Sequence, residues 1–140
     1  MTTASYEMTE RSWVDTDATL VVRKDDLDPE AVSTRLALAP TATRLPGPDR
    51  WNPAGDPAGL WLLRCADRAL GLPEQLDRVV DAVFDRAEVL RELAAEGYDV
   101  TLSVFGRVGP GAMLELPPET ALRIASLGIP LELRVSNNER

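Results

Sequence analysis

The stretch PEQLDRVVDAVFDRAEVLRELAAE, residues 73–96, is the longest segment of the chain with a single clear period. Leu76, Val80, Val83, Ala87, Leu90 and Ala94 recur at intervals of three and four, and Val79 and Phe84 widen the stripe. That spacing predicts an amphipathic helix whose apolar face packs on a core. Pro73 suits the first helical position, where a missing N–H costs nothing. Gly97 suits the left-handed stop just past the end. A helix of 24 residues spans about 36 Å, enough to cover one face of a small sheet.

C-terminal to this helix, YDVTLSVFG at 98–106 reads as a strand with Val100, Leu102 and Val104 inward. RVGPG at 107–111 has turn chemistry, which predicts a hairpin with AMLEL at 112–116 as its returning strand. A third helix is expected over 118–127, opened by Pro118 and stopped by Gly128, with Leu122, Ala125 and Leu127 on its apolar side. LELRV at 131–135 alternates as a last strand.

N-terminal to it, GLWLLRC at 59–65 is apolar on both alternations, as in a strand buried on both faces. The twenty-residue stretch 40–59, which leads into this strand and shares Gly59 with it, is rich in proline and glycine and follows neither period. Loops of that length in a compact domain are uncommon and usually functional or disordered. A short helix over 29–37 is signalled by Asp28 as N-cap, Pro29 as first residue and Glu30 in the first turn. DATLVVR at 17–23 reads as the first strand, with Ala18, Leu20 and Val22 on one side. Residues 1–16 read as a mobile arm, 17–136 as one domain and 137–140 as a polar tail. The order β-α-β-α-β-β-α-β predicts an α+β fold: one five-stranded, mixed, largely antiparallel sheet with three helices mainly on one face, nearest to a ferredoxin-like variant.

Composition restricts the function. The chain has 140 residues, a net charge of −8 and no histidine. The charge argues against nucleic acid or an anionic membrane as partner, since both need clustered Lys and Arg. The lack of histidine removes the commonest general base and metal ligand. Cys65 is the only cysteine, so no internal disulfide forms and a cytoplasmic setting is expected. No apolar run is long enough to span a bilayer, and MTTASYEMTERSW lacks the pattern of a signal peptide. Fourteen of the fifteen basic residues are arginine, a usage typical of GC-rich bacterial coding sequences.

Few constellations have chemical content. Asp25, Asp26 and Asp28 lack the glycine and closing glutamate of a calcium loop. Cys65 has no histidine to activate it and reads as an inert thiol. GRVGPG at 106–111 opens no helix and reads as a turn, not as a phosphate cradle. Two surfaces stand out. On the outer side of the long helix, Glu74, Asp77, Asp81, Asp85, Glu88, Glu92 and Glu96 fall within about 100° of arc. In the 40–59 loop, Arg44, Arg50 and Trp51 lie among prolines and glycines and lead into Trp61. Arginines beside an indole suit an anion or a planar ligand. A solvated face of an acidic protein and a tryptophan that pins a loop are the plainer readings of the two.

The segments DDLDPEAVSTRLALAPTATRLPG, GLWLL, LRELAAEGYDVTLSV and LPPETALRIASLGIPLELRV, in that order, resemble a bacterial family known only as a domain of unknown function, number forty-two seventy-nine. The likeness covers about residues 17–136 and includes the D-x-x-D-P-x-x-V helix start and the G-x-W strand. It implies a shared fold and no chemistry; by analogy with some relatives it implies an immunity-type role.

The sequence therefore favours a non-enzymatic cytoplasmic interaction module. It would bind a basic protein partner through Asp81, Asp85, Glu88 and Glu92. The alternative is a small-ligand-binding domain that uses the 40–59 loop, with Arg44, Arg50, Trp51 and Trp61 as its site. An enzyme ranks third: no catalytic set, metal site or cofactor is expected, and only carboxylate chemistry is left open. A homo-oligomer is compatible with everything in the chain.

Overall fold

A computed structural model describes residues 13–48, 50, 51 and 53–137. Residues 1–12 of the expected arm, 138–140 of the tail, and Asp49 and Asn52 of the loop lie outside the described residues. The elements in chain order are β1 (Trp13–Lys24), α1 (Pro29–Leu36), β2 (Ala42–Arg44), β3 (Gly59–Cys65), α2 (Leu72–Val83), a 3₁₀ turn (Phe84–Arg86), α3 (Ala87–Ala95), β4 (Asp99–Val108), α4 (Pro118–Ser126) and β5 (Leu131–Asn137). They form the expected α+β fold. The sheet has the order β2-β3-β1-β4-β5; only the β4–β5 pair is parallel. The central strand is antiparallel to both neighbours, and this order gives no support to a ferredoxin-like arrangement.

The register explains which face is buried. Leu20 lies opposite Leu63 of β3 and Leu102 of β4, and Val22 lies opposite Trp61 and Val100. Side chains alternate along a strand, so these residues share one face with Ala18 and Val104. Leu20, Val22, Trp61, Leu102 and Val104 are buried there against Leu76, Val80, Val83, Leu90 and Leu93 of the long helix. Val32 and Leu36 of α1 and Ile124 of α4 belong to the same cluster. Each such aliphatic side chain contributes about 2 kcal/mol relative to exposure. Among the described residues no helix covers the other face, where Val21, Leu60, Leu62 and Phe105 are half-buried.

The long helix forms where its period places it, but it is not continuous. A 3₁₀ turn at Phe84–Arg86 divides it. Such a turn advances about 120° per residue, against about 100° in an α-helix, so three residues rotate the second half by about 60°. Consequently Leu93 is buried and Ala94 exposed, the reverse of what an unbroken helix would give. The break has an anchor: Arg86 Nε donates to the Leu36 carbonyl oxygen at 2.8 Å, satisfying a free acceptor at the end of α1. Gly97, at φ 100°, provides the expected left-handed exit.

Three further differences from the sequence expectation have local causes. No strand forms at 112–116. Both edges of β4 are already occupied, by β1 on one side and by β5 on the other, out to the Val108–Asn137 pair, so a hairpin strand has no free edge to join. The fifth strand is instead β2, inside the stretch that reads as an aperiodic loop. It has only three residues, all exposed, and pairs with Leu60–Leu62 through its backbone. Finally, β1 starts at Trp13, so residues 13–16 are strand and not arm. A bulge between Val14 and Asp17 leaves Asp15 at φ 52°. The Trp13 ring lies on Gly106, where an added Cβ would sit 2.5 Å from the indole; only glycine admits that contact.

The end of α1 is also unusual. Leu38 N–H donates to Ser33 O, and Ala37 N–H to Thr34 O. This is the two-bond helix ending that normally uses glycine, but here Ala37 adopts the left-handed conformation, at φ 56° and ψ 41°.

Candidate functional site

The acidic face of the long helix is present but partly neutralised from within. Asp77 Oδ1 accepts from Thr120 Oγ1 at 3.0 Å. Asp81 pairs with Arg123 of α4. Arg35 of α1 makes two hydrogen bonds to Glu96, at 2.6 and 2.9 Å, and stands 3.5 Å from Glu92. The hydrogen bond from Arg35 holds the Glu96 carboxyl below its ordinary range. Glu74, Asp85 and Glu88 keep their charge uncompensated: none has a hydrogen-bond or ion-pair partner among the described residues. The 3₁₀ turn adds something the helical period concealed. It leaves Phe84, part of the apolar stripe in the sequence, 39% exposed next to Asp85. The Arg123 guanidinium lies 5.1 Å from the centre of the Phe84 ring. Of the four residues singled out from sequence, Asp85 and Glu88 are available as they stand. Asp81 and Glu92 would first exchange an arginine of their own chain. All four are exposed or half-exposed at the surface.

The 40–58 segment is tied down by charge. Arg44 donates twice to the Ala58 carbonyl oxygen, at 2.7 and 3.1 Å, and lies 3.5 Å from Asp56. Asp56 in turn accepts two 2.7 Å hydrogen bonds from Arg23 of β1 and one of 3.1 Å from Ala58 N–H. These donors, the Arg23 guanidinium first, hold the Asp56 carboxyl well below the usual carboxylate range and push Arg23 up. Gly47 N–H closes the loop onto Pro57 O at 2.8 Å. The four residues of the expected loop site are therefore not together. Trp61 is 0% exposed, within the core, with its indole N–H donating to Ser33 Oγ at 2.9 Å. Arg44 is engaged in holding the loop. Only Arg50 and Trp51 remain at the tip, stacked at 4.9 Å, with Trp51 83% exposed.

A third candidate has no counterpart in the sequence pattern. An open cleft of about 800 Å³ lies between the start of β1, the first turn of α2 and the segment before α4. Trp13, Leu70, Leu72, Met113 and Leu114 supply its apolar wall; Asp15, Arg68, Glu74 and Glu115 supply its polar groups. Trp13 Nε1 bridges it by donating to Met113 O at 2.8 Å. Gln75, also in the lining, is 1% exposed. Its Nε2 donates to Asp67 O at 3.0 Å, whereas its Oε1 has no hydrogen-bond partner among the described residues. The cleft depends on three segments far apart in sequence, and two of them resemble an arm and a hairpin strand when their local pattern alone is considered. The one available signal was Trp13, a large apolar side chain in an otherwise polar stretch.

Cys65, half-buried at the end of β3, has no histidine to draw on, since the chain contains none. Among the described residues no three of the acidic or cysteine side chains converge as a metal-binding group. None of the described helices is long and apolar enough to cross a membrane.

Together these features define a two-layer α+β domain with one face of its sheet open, an acidic helical surface and a cleft at one end. Residues 14–138 match the family described as Domain of unknown function (DUF4279), and the chain belongs to that family. The match runs from the bulged start of β1 to the end of β5. No curated protein and no solved structure matches the chain.

Proposed function

We propose that the protein is a non-enzymatic interaction module that binds a basic protein segment on the outer side of the α2–α3 helix. The observation that supports this is the exposure of Phe84 at the 3₁₀ turn, with Asp85 and Glu88 unpaired beside it. An aromatic anchor with a charged rim is the usual composition of a binding hot spot. The carboxylates would steer a cationic partner, and the ring would take its desolvated centre. Arg123, already over the ring and paired with Asp81, marks the position a partner's guanidinium would occupy. An immunity-type protein that neutralises a basic protein is one form of this reading, and the cytoplasm is the setting in which we place it.

Titration with an arginine-rich peptide, followed by backbone amide shifts in NMR, tests it. Shifts should concentrate on 81–92, and the double variant Asp85→Asn, Glu88→Gln should weaken the peptide about tenfold. Shifts confined to Arg50 and Trp51, or no shifts at all, would end the proposal.

The cleft supports a second reading, a small-ligand-binding domain whose site would lie there and not in the 40–59 loop. Gln75, whose buried Oε1 has no hydrogen-bond partner among the described residues, belongs to the lining, and a ligand N–H or O–H donor that reached this oxygen would satisfy it. Fragment screening by NMR checks this: hits should perturb Trp13, Gln75 and Met113, and Gln75→Leu should remove donor-bearing hits while sparing purely apolar ones.

A further inference from the structure

The seven-residue strand β5 closes the sheet, and no described strand pairs with its outer edge. Its apolar residues face the helical side: Leu131 and Leu133 lie opposite Leu102 and Val104 of β4. Yet the helices do not reach them, and Leu131, Leu133 and Val135 are 45%, 52% and 56% exposed. Long edges of this kind are normally blunted by a proline, a bulge or inward-facing charge. None interrupts Leu131–Asn137.

The backbone orientation of β5 is determined. Leu102 pairs with Leu131, and its N–H donates to Pro130 O at 2.9 Å. In a parallel ladder a residue bonds to the two that flank its partner. The main-chain groups of Glu132 and Arg134 therefore point to β4. Those of Leu131, Leu133 and Val135 point outward, ready to pair. An incoming antiparallel strand must match these three residues with its own outward-pointing ones.

We propose that this edge binds β5 of a second copy of the same chain, antiparallel, about a two-fold axis at Leu133. The charges select both the occupant and the register. With the axis at Leu133, Glu132 of each copy faces Arg134 of the other on one side of the sheet, and Leu131 faces Val135 on the other side. Moving the axis to residue 132 sets Glu132 against Glu132; moving it to 134 sets Arg134 against Arg134. Within one chain Glu132 and Arg134 already lie 3.2 Å apart, so the dimer would join two such pairs into a ring of alternating charge. Opposed unlike charges on neighbouring strands stabilise the pair, and like charges weaken it. The contact is isologous, so it closes at two copies and leaves a continuous sheet of twice the width. The acidic helical surface lies elsewhere, so the dimer stands independently of the proposed partner site.

Sedimentation equilibrium of the full chain from micromolar to millimolar concentration tests the pairing. The wild type should show a reversible monomer–dimer equilibrium. Glu132→Arg alone and Arg134→Glu alone should each raise the dimer Kd by at least about tenfold, since each reversal makes two pairs repulsive. An equimolar mixture of the two variants should recover wild-type affinity as a heterodimer, because every cross-strand pair is again attractive. The double variant Glu132→Arg, Arg134→Glu should dimerise like the wild type, which shows that both positions tolerate exchange. A wild type that stays monomeric throughout overturns the proposal. So does a dimer that either single reversal leaves intact, or a mixture that stays as weak as its components.

Discussion

The α2–α3 helix and the 40–58 loop are the two most distinctive regions of the sequence, and they are held in opposite ways. The helix is fixed by burial: Leu76, Val80, Val83, Leu90 and Leu93 fill the space above the sheet. The loop contributes little to the core. It is fixed by a handful of directed contacts, Arg44 on Ala58 O and Asp56 on Arg23 and Ala58 N–H. A periodic segment advertises its packing in advance, whereas a segment ordered by hydrogen bonds does not. Lack of period is therefore no sign of lack of structure, and it is a weak pointer to function.

Substitutions can press on each side of that contrast. The largest effect is expected for Val83→Asp, which places an unpaired carboxylate in the core and should cost about 4 kcal/mol in urea unfolding. An equal midpoint for variant and wild type would mean that the helix does not pack through this face. Trp61→Phe comes next, at about 1–2 kcal/mol. It removes the indole N–H, leaves Ser33 Oγ without its partner and opens a small void. If the loop alone depended on Trp61, that variant would alter loop amide exchange and not global stability.

Ala37→Gly, where α1 gives way to the loop, should raise stability by up to about 1 kcal/mol by relieving the left-handed conformation of a residue with a Cβ. A loss of stability in thermal melts would show that the ending is not strained. Asp56→Asn should have a small effect that depends on pH. The folded-state pKa of Asp56 is depressed, so its contribution is complete above its ordinary value of about 4 and fades as pH falls below that. The gap in Tm between the variant and the wild type should therefore shrink on acidification. A constant gap would separate Asp56 from the Arg23 contact. The smallest effect on stability is expected for the double variant Asp85→Asn, Glu88→Gln, which breaks no pairing within the chain; its melting curve should overlay the wild type.

Most of the fold was legible where hydrophobic alternation and burial coincide. Ala18, Leu20 and Val22, the Val100–Val104 face and the first half of the long helix are all buried as their spacing requires. The misses share a different logic. β2 exists because β3 offers a free edge to Ala42–Arg44, and 112–116 is not a strand because β4 has none left. Edge availability is a property of the whole sheet and leaves no trace in a local pattern. The break at Phe84 depends on Arg86 meeting the end of α1 at Leu36, a contact between residues distant in sequence. For the candidate surfaces the same holds. The carboxylates of the ridge were visible as a pattern, but their internal partners Arg35, Thr120 and Arg123 were not. The cleft was invisible because its walls come from segments that periodicity could not place.

The central position of β1 has a consequence for how the chain is made. Ala18 is flanked by Cys65 and Val104, so β1 is synthesised before both of its neighbours, and the second of them arrives only after the long helix has been synthesised. Until β4 emerges, the row Ala18, Leu20, Val22 has one paired edge and one open edge. The amphipathic helix, which precedes β4 in the chain, carries the apolar face that covers this row in the finished fold. Sheets assembled from such distant partners fold slowly and are exposed to misassociation on the way. In chain order the segment 72–95 is therefore complete before the last two strands of the sheet whose finished face it roofs.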